Sequence, residues 1–126
     1  MRISIILPAK NEAEGLSRTL PAIAAVLPEA EVIVVDDGST DETAAIARAA
    51  GARVLSSPYS MGNGAAIKRG ARAANGEVLV FMDADGQHDP AQIPRLLARL
   101  DEGYDMVVGA RDGSGQASLG RGLANG

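Results

Sequence analysis

The strongest constraint on the fold is an alternation in hydrophobic period. Short apolar, β-branched runs alternate with segments whose apolar residues recur at helical spacing. Ile3 to Leu7 is such a run, closed by Pro8, and predicts a buried strand. Leu16, Leu20, Ile23 and Leu27 then predict a helix near 12–26, with Pro21 expected to kink or divide it. Glu31 to Val35 predicts a second strand. Ser39 and Glu42 have the spacing of a capping box ahead of an Ala-rich helix, which Gly51 would close. Arg53 to Ser56 predicts a third strand, 57–62 a loop, and Ala65 to Ala74 a helix. Glu77 to Met82 predicts a fourth strand. Asp89-Pro90 starts a helix running to about Glu102, with Asp as cap and Pro at the first helical position. Tyr104 to Val108 is the fifth strand expected, and periodicity is lost after Gly109.

Repeated strand–helix–strand units imply right-handed crossovers and an α/β fold with a mainly parallel sheet. The composition agrees. With 46% apolar residues but only 2% aromatics among 126 residues, the core must be aliphatic, as suits helices packed on a buried parallel sheet. The expected organisation is one domain over 1–111, followed by a flexible Gly-rich tail over 112–126.

Ligands of open α/β sheets bind beyond the carboxyl ends of the strands. Four polar clusters fall at such ends: Pro8 to Glu12, Asp36 to Ser39, Asp83 to Asp85, and Gly109 to Arg111. Asp83 and Asp85 are two residues apart, so in extended backbone they point the same way and could share one hard cation, Mg²⁺ or Mn²⁺. The competing reading is a solvated acidic loop that caps a helix. Asp36 and Asp37 are similarly divided between helix-terminus electrostatics and hydrogen bonding to a ribose or base. Gly62-Asn63-Gly64 precedes a helix carrying Lys68, Arg69 and Arg72. It is either a plain turn before a solvated basic face or a place of close ligand approach, and it lacks the Walker pattern. His88 has no second His or Cys at ligand spacing and is expected to be a bystander.

Other classes are excluded or set aside. The net charge of −4 gives no basic footprint for nucleic acid. The absence of cysteine excludes disulfides and thiolate metal sites. Neither a signal peptide nor a membrane span is legible, so the cytoplasm is the default compartment.

The ordered set Pro8-Ala9-Lys10-Asn11-Glu12, Asp36-Asp37-Gly38-Ser39-Thr40-Asp41, Gly62-Asn63-Gly64 and Asp83-Ala84-Asp85-Gly86-Gln87-His88 resembles family 2 glycosyltransferases of the GT-A fold. Within that family it is most similar to the dolichyl-phosphate mannose synthase and polyprenyl-phosphate sugar transferase branch. The resemblance spans nearly all of residues 1–111 and implies a Rossmann-like nucleotide-binding half. It implies that Pro8, Ala9 and Glu12 line a base and ribose pocket, with Asn11 holding the loop. Asp37 would contact the nucleoside, with Ala84 and Lys68 also near the nucleotide. Asp83 would lie against ribose and metal, and Asp85 and Gln87 would bind the Mg²⁺ or Mn²⁺ that bridges the diphosphate. Arg111 would meet the phosphate of a lipid-phosphate acceptor. Asp85 and Arg111 are thus the expected catalytic residues.

The activity implied is inverting transfer from a GDP- or UDP-sugar to a polyprenyl phosphate, placing the chain at the cytoplasmic face of a membrane. Such an acceptor is already ionised and needs no strong base; a hydroxyl acceptor would need a carboxylate base, and no clear base is legible. Family members continue well past residue 126. The chain is therefore expected to lack the acceptor half, and apolar surface meant for that half would promote self-association. A non-catalytic nucleotide-binding fragment is the main competing reading. A receiver domain would need a lysine where Arg111 stands, and a sugar nucleotidyltransferase would need a Gly-rich loop after the first strand.

Overall fold

The computed structural model describes residues 2–84, Pro94 and Ala98, and the backbone of residues 106–111 and 115–121. Strand β1 (Ile3–Ala9) is followed by α1 (Ala13–Val26), β2 (Glu31–Asp37), α2 (Thr43–Ala49), β3 (Arg53–Ser57), α3 (Asn63–Ala73) and β4 (Val78–Met82). Two further strands follow, β5 (Met106–Arg111) and β6 (Gly115–Arg121). The six strands form one sheet in the order β3-β2-β1-β4-β6-β5. The first four are parallel, as the alternation of periods requires, and β6 runs antiparallel to both β4 and β5.

The strand order reverses at β1. The chain moves outward from β1 to β2 and β3, then returns to place β4 on the other side of β1. Right-handed crossovers then require α1 and α2 on one face and α3 on the other. The core shows that division. Ile5, Leu7 and Ala9 of β1 pack with Leu16, Leu20 and Ile23 of α1 and Ala47 of α2. Ile6 of β1 packs with Ile33 and Val35 of β2 and Ala66 of α3. Both sheet faces are therefore apolar, which is why β1 reads as a continuous hydrophobic run.

Several sequence expectations need correction. Pro21 does not divide α1, which is continuous from Ala13 to Val26; the proline ring lies on the exposed side. Strand β1 extends through Pro8 to Ala9. Pro8 lies past the last β1–β4 pair, Ile6 with Phe81, where a residue without an N–H is tolerated. The capping box does not form: α2 starts at Thr43, and the Thr43 N–H donates to Asp41 Oδ1 at 2.9 Å. Gly51 does close α2, at φ +88°, with its N–H donating to the Arg48 carbonyl.

The largest difference is in the segment expected to be a flexible tail. Residues Gly115–Arg121 form β6, between β4 and β5. The strand has one large apolar residue, Leu119, so no alternating pattern announces it; ladder pairing on both sides defines it. Strand β5 correspondingly runs on to Arg111, which pairs with Gly115. The helix expected between Asp89 and Glu102 lies outside the described residues, apart from Pro94 and Ala98, which are helical.

Helix α3 sits very close to the sheet at Gly70. A Cβ there would lie 2.5 Å from Ile6 Cγ2 and 3.1 Å from Val35 Cγ2. Gly64, in the first turn of the same helix, has nothing within 4 Å of the corresponding position. Gly70→Ala is expected to destabilise the fold by about 1–3 kcal/mol through overpacking. Gly64→Ala is expected to be neutral or to stabilise by up to about 1 kcal/mol. Urea denaturation of both variants measures the contrast, and equal effects would show that α3 is not seated as described.

Candidate functional site

The rim at the carboxyl ends of β1, β2 and β4 is held together by side chains that serve loop backbone. Asn11, at φ +53°, is the positive-φ non-glycine residue among those described. Asparagine tolerates this region better than most residues. Its Oδ1 accepts from the Thr40 N–H at 2.8 Å and the Asp41 N–H at 3.3 Å, and its own N–H donates to Ser39 Oγ at 2.9 Å. The Glu12 N–H donates to Thr43 Oγ1 at 3.0 Å, and the Ala13 N–H to Asp41 Oδ2 at 3.2 Å. Thus the loop after β2 supplies acceptors for backbone donors at the start of α1, and Asn11 returns the service.

Asp36 and Asp37 are both nearly buried, at 7% exposure each, yet they work on opposite faces. Adjacent strand residues point to opposite sides of the sheet. Asp36 Oδ1 accepts from the Ser39 N–H at 3.0 Å and fixes the turn toward α2. Asp37 faces α3. Its Oδ1 accepts from the Met61 N–H at 2.7 Å, and its Oδ2 from Ser60 Oγ at 2.9 Å and the Gly62 N–H at 3.1 Å. The Met61 bond is the strongest influence on its ionisation. Together with the Ser60 and Gly62 bonds and the nearby Lys10 charge, it outweighs desolvation and holds the carboxyl below the usual aspartate range. Gly38 lets the two loops meet. Its φ is +74°, and a Cβ there would lie 2.6 Å from the Ser60 nitrogen and the Tyr59 carbonyl carbon.

These contacts enclose an open cavity of about 450 Å³. Of the residues singled out in the sequence, Pro8, Ala9, Glu12, Asp37, Asp83 and Ala84 line it. Lys10, Ser60, Gly62, Asn63 and Ala66 line it too. The motif containing Gly62 and Asn63 drew attention to that turn, but nothing in the spacing pointed to Ser60, which enters through its bond to Asp37. Asn11 holds the loop and is not among the residues lining the cavity. Lys68 lies elsewhere, in a second concavity on the flank of α3. Asp85, Gln87 and His88 lie outside the described residues. Arg111 ends β5 on the same rim. It is two strand positions from β4, roughly 10 Å across the sheet, because β6 intervenes.

The donors around the cavity are hard oxygen groups, the class that Mg²⁺ and Mn²⁺ take. Among the described residues no group of three or more His, Cys, Asp or Glu side chains could hold a metal unaided. A Mg²⁺-type site uses only one or two carboxylates, with substrate phosphates completing the shell. Of the residues expected from the sequence to hold a metal, Asp83 lies in the wall of this cavity.

Comparison with known proteins agrees with the geometry. The family model for glycosyl transferase family 2 matches residues 4–125. An uncharacterised glycosyltransferase of Mycobacterium tuberculosis is 40% identical over 86% of this chain and 48% of its own length. An undecaprenyl-phosphate 4-deoxy-4-formamido-L-arabinose transferase of Photorhabdus laumondii is 38% identical over 98% of this chain and 41% of its own. The chain thus spans about half the length, or less, of these curated relatives. Glucosyl-3-phosphoglycerate synthase from M. tuberculosis, crystallised with Mn²⁺, uridine diphosphate and glucosyl-3-phosphoglycerate, superposes with a TM-score of 0.81 at 30% identity. That match covers 95% of this chain and 57% of the synthase chain. The chain belongs to glycosyl transferase family 2 and has the GT-A, Rossmann-like fold.

The Asp37 interactions carry a pH signature. The folded-state carboxyl titrates below its unfolded value of about 3.9. Its stabilisation is therefore present above about pH 4 and is lost as pH falls through the lower folded value. Asp37→Asn is expected to cost about 1–2 kcal/mol at neutral pH, because charge-assisted bonds to the 60–62 loop are weakened. The gap from the unmodified chain should close on acidification below about pH 4. Urea denaturation across that range checks this; a gap independent of pH would show that the charge of Asp37 does not hold the loop.

Proposed function

As a member of glycosyl transferase family 2, this chain, we propose, forms the donor-binding half of an inverting glycosyltransferase. The sugar moves from a nucleotide-diphospho-sugar to a phosphate-bearing acceptor, a polyprenyl phosphate. One observation carries the reading. The cavity gathers Pro8, Ala9, Glu12, Asp37 and Asp83 at the point where the strand order reverses, which is where α/β sheets bind nucleotides.

Pro8, Ala9 and Glu12 line the base and ribose. Three bonds from the 60–62 loop fall on Asp37; a carboxylate has about four acceptor sites, which leaves capacity for a nucleoside donor. Asp83, with Asp85 and Gln87, would hold the divalent cation. When bound, that cation neutralises charge building on the leaving group. An acceptor oxygen bonds to the anomeric carbon as the bond from that carbon to the diphosphate oxygen breaks. The electron pair leaves with the nucleoside diphosphate, and the configuration inverts. Arg111 would meet the acceptor phosphate, since an arginine fork suits that oxygen geometry.

Two similarities support a phosphate-bearing acceptor. One relative's name specifies undecaprenyl phosphate, and the structural neighbour was crystallised with a glucosylated phosphoglycerate. The neighbour's uridine diphosphate makes a UDP-sugar the first donor to test. A second reading is a non-catalytic nucleotide-binding unit that needs a partner or further chain for turnover; the residues lining the cavity support nucleotide binding under either reading.

Calorimetric titration of UDP and GDP, with and without Mn²⁺, tests the proposal. The expected result is Mn²⁺-dependent binding of one nucleotide, weakened at least about tenfold by Asp83→Ala and by Asp85→Ala, or about 1.4 kcal/mol. Equal binding without metal, or by the variants, would remove the cation from the reading. Sugar transfer by the isolated chain would eliminate the second reading.

A further inference from the structure

A second concavity, of about 240 Å³, lies on the outer flank of α3. Lys68, Arg69 and Arg72 line it together with Met61 and Ser57, and it shares Asp37 and Ala66 with the larger cavity. Three cations thus converge in a chain whose net charge is −4. Asp37 is the carboxylate among the lining residues, and its oxygens accept from the 60–62 loop. Arg69 is fixed in place, donating to the Ser56 carbonyl at 2.8 Å and to Ser57 Oγ at 2.9 Å.

The adjoining loop adds an apolar element. Among the described residues, the exposed large hydrophobics are Tyr59 and Met61, at 66% and 57% exposure. Both stand on the short loop that Asp37 holds. A protein interface of ordinary size buries about 800 Å² per partner, a little over half of it apolar, which is more apolar surface than two partly exposed side chains offer. Shallow insertion beside a row of cations is what a bilayer interface requires.

We propose that Tyr59, Met61 and the Lys68–Arg69–Arg72 cluster form a docking surface for an anionic lipid bilayer. Tyr59 and Met61 enter the headgroup region, while the cations face anionic lipid phosphates. Because the two cavities share a wall, docking brings the rim of the larger cavity to the lipid surface. The docking itself is independent of what that cavity binds.

Vesicle co-sedimentation tests the proposal, using phosphatidylcholine alone or mixed with phosphatidylglycerol. The expected result is binding to the anionic vesicles that falls as salt is raised, with little binding to neutral ones. Arg72→Glu should weaken it by at least about fivefold, the effect expected of one basic residue near an anionic surface. Tyr59→Ser should weaken it by a smaller factor. Neither residue lines the larger cavity, so Mn²⁺ and UDP titration of the same variants reports that site separately. Equal binding to both vesicle types, no binding, or undiminished binding by both variants would overturn the proposal. Abolition of vesicle binding by inorganic phosphate at constant ionic strength would replace it with a discrete phosphate site. Capture of soluble polyglutamate without vesicle binding would replace it with an acidic protein partner.

Discussion

Loops at the rim of a parallel sheet turn through conformations in which backbone N–H groups have no strand or helix partner. Buried or half-buried, such groups cost free energy unless a side chain satisfies them. Two side chains each satisfy a pair of them. Asn11 accepts from Thr40 and Asp41, and Asp37 accepts from Met61 and Gly62. The first ties the loop after β1 to the loop after β2. The second ties the end of β2 to the loop that enters α3. The wall of the larger cavity and the position of the loop bearing Tyr59 and Met61 follow from these ties.

Strand geometry turns one dipeptide into two devices. Side chains alternate across a sheet, so Asp36 and Asp37 serve opposite faces despite being neighbours. Each carboxylate accepts from a different loop, Asp36 from the Ser39 N–H and Asp37 from Ser60, Met61 and Gly62. A comparable arrangement stabilises the opposite end of the sheet. Glu31 accepts from Ser4 Oγ at 2.7 Å and from the Asn75 N–H at 2.8 Å. Partial burial there opposes ionisation, but the bonds from Asn75 and Ser4 and the Arg53 charge outweigh it and lower the pKa. Gly76 belongs to the same clasp, since a Cβ would meet Ser4 Oγ at 2.6 Å. The sheet is pinned at both ends, and each clasp borders a cavity, of about 360 Å³ beside Glu31 and Asn75 and about 450 Å³ beside Asp37; the latter lies where the strand order reverses, the place at which open α/β sheets bind ligands.

Much of this was legible in the sequence, for identifiable reasons. Strands β1 to β4 are buried on both faces or bounded by turn residues, so their apolar runs stand out. The convergence of Pro8 to Glu12, Asp37 and Asp83 followed from parallel topology alone. Strand β6 was not legible, because Gly115 to Arg121 carries little apolar signal and is defined by its two neighbours. The capping box failed for a related reason: Ser39 has the right spacing from Glu42, but its hydroxyl serves Asn11, a partner 28 residues away. The placement of Lys68 on the outer flank of α3 also depends on tertiary seating, which Gly70 sets and local spacing cannot reveal.

The central claim is that a nucleotide and a divalent cation meet at the carboxyl rim, between Asp37 and Asp83. Paramagnetic broadening by Mn²⁺ in the presence of UDP, read on assigned backbone amides, locates that meeting point directly. The account predicts that Ala9, Gly62, Asp83 and Ala84 broaden first, while Asn75 and Gly76 at the opposite end of the sheet stay sharp. Broadening centred on Asn75 and Gly76, or none that depends on UDP, would contradict it.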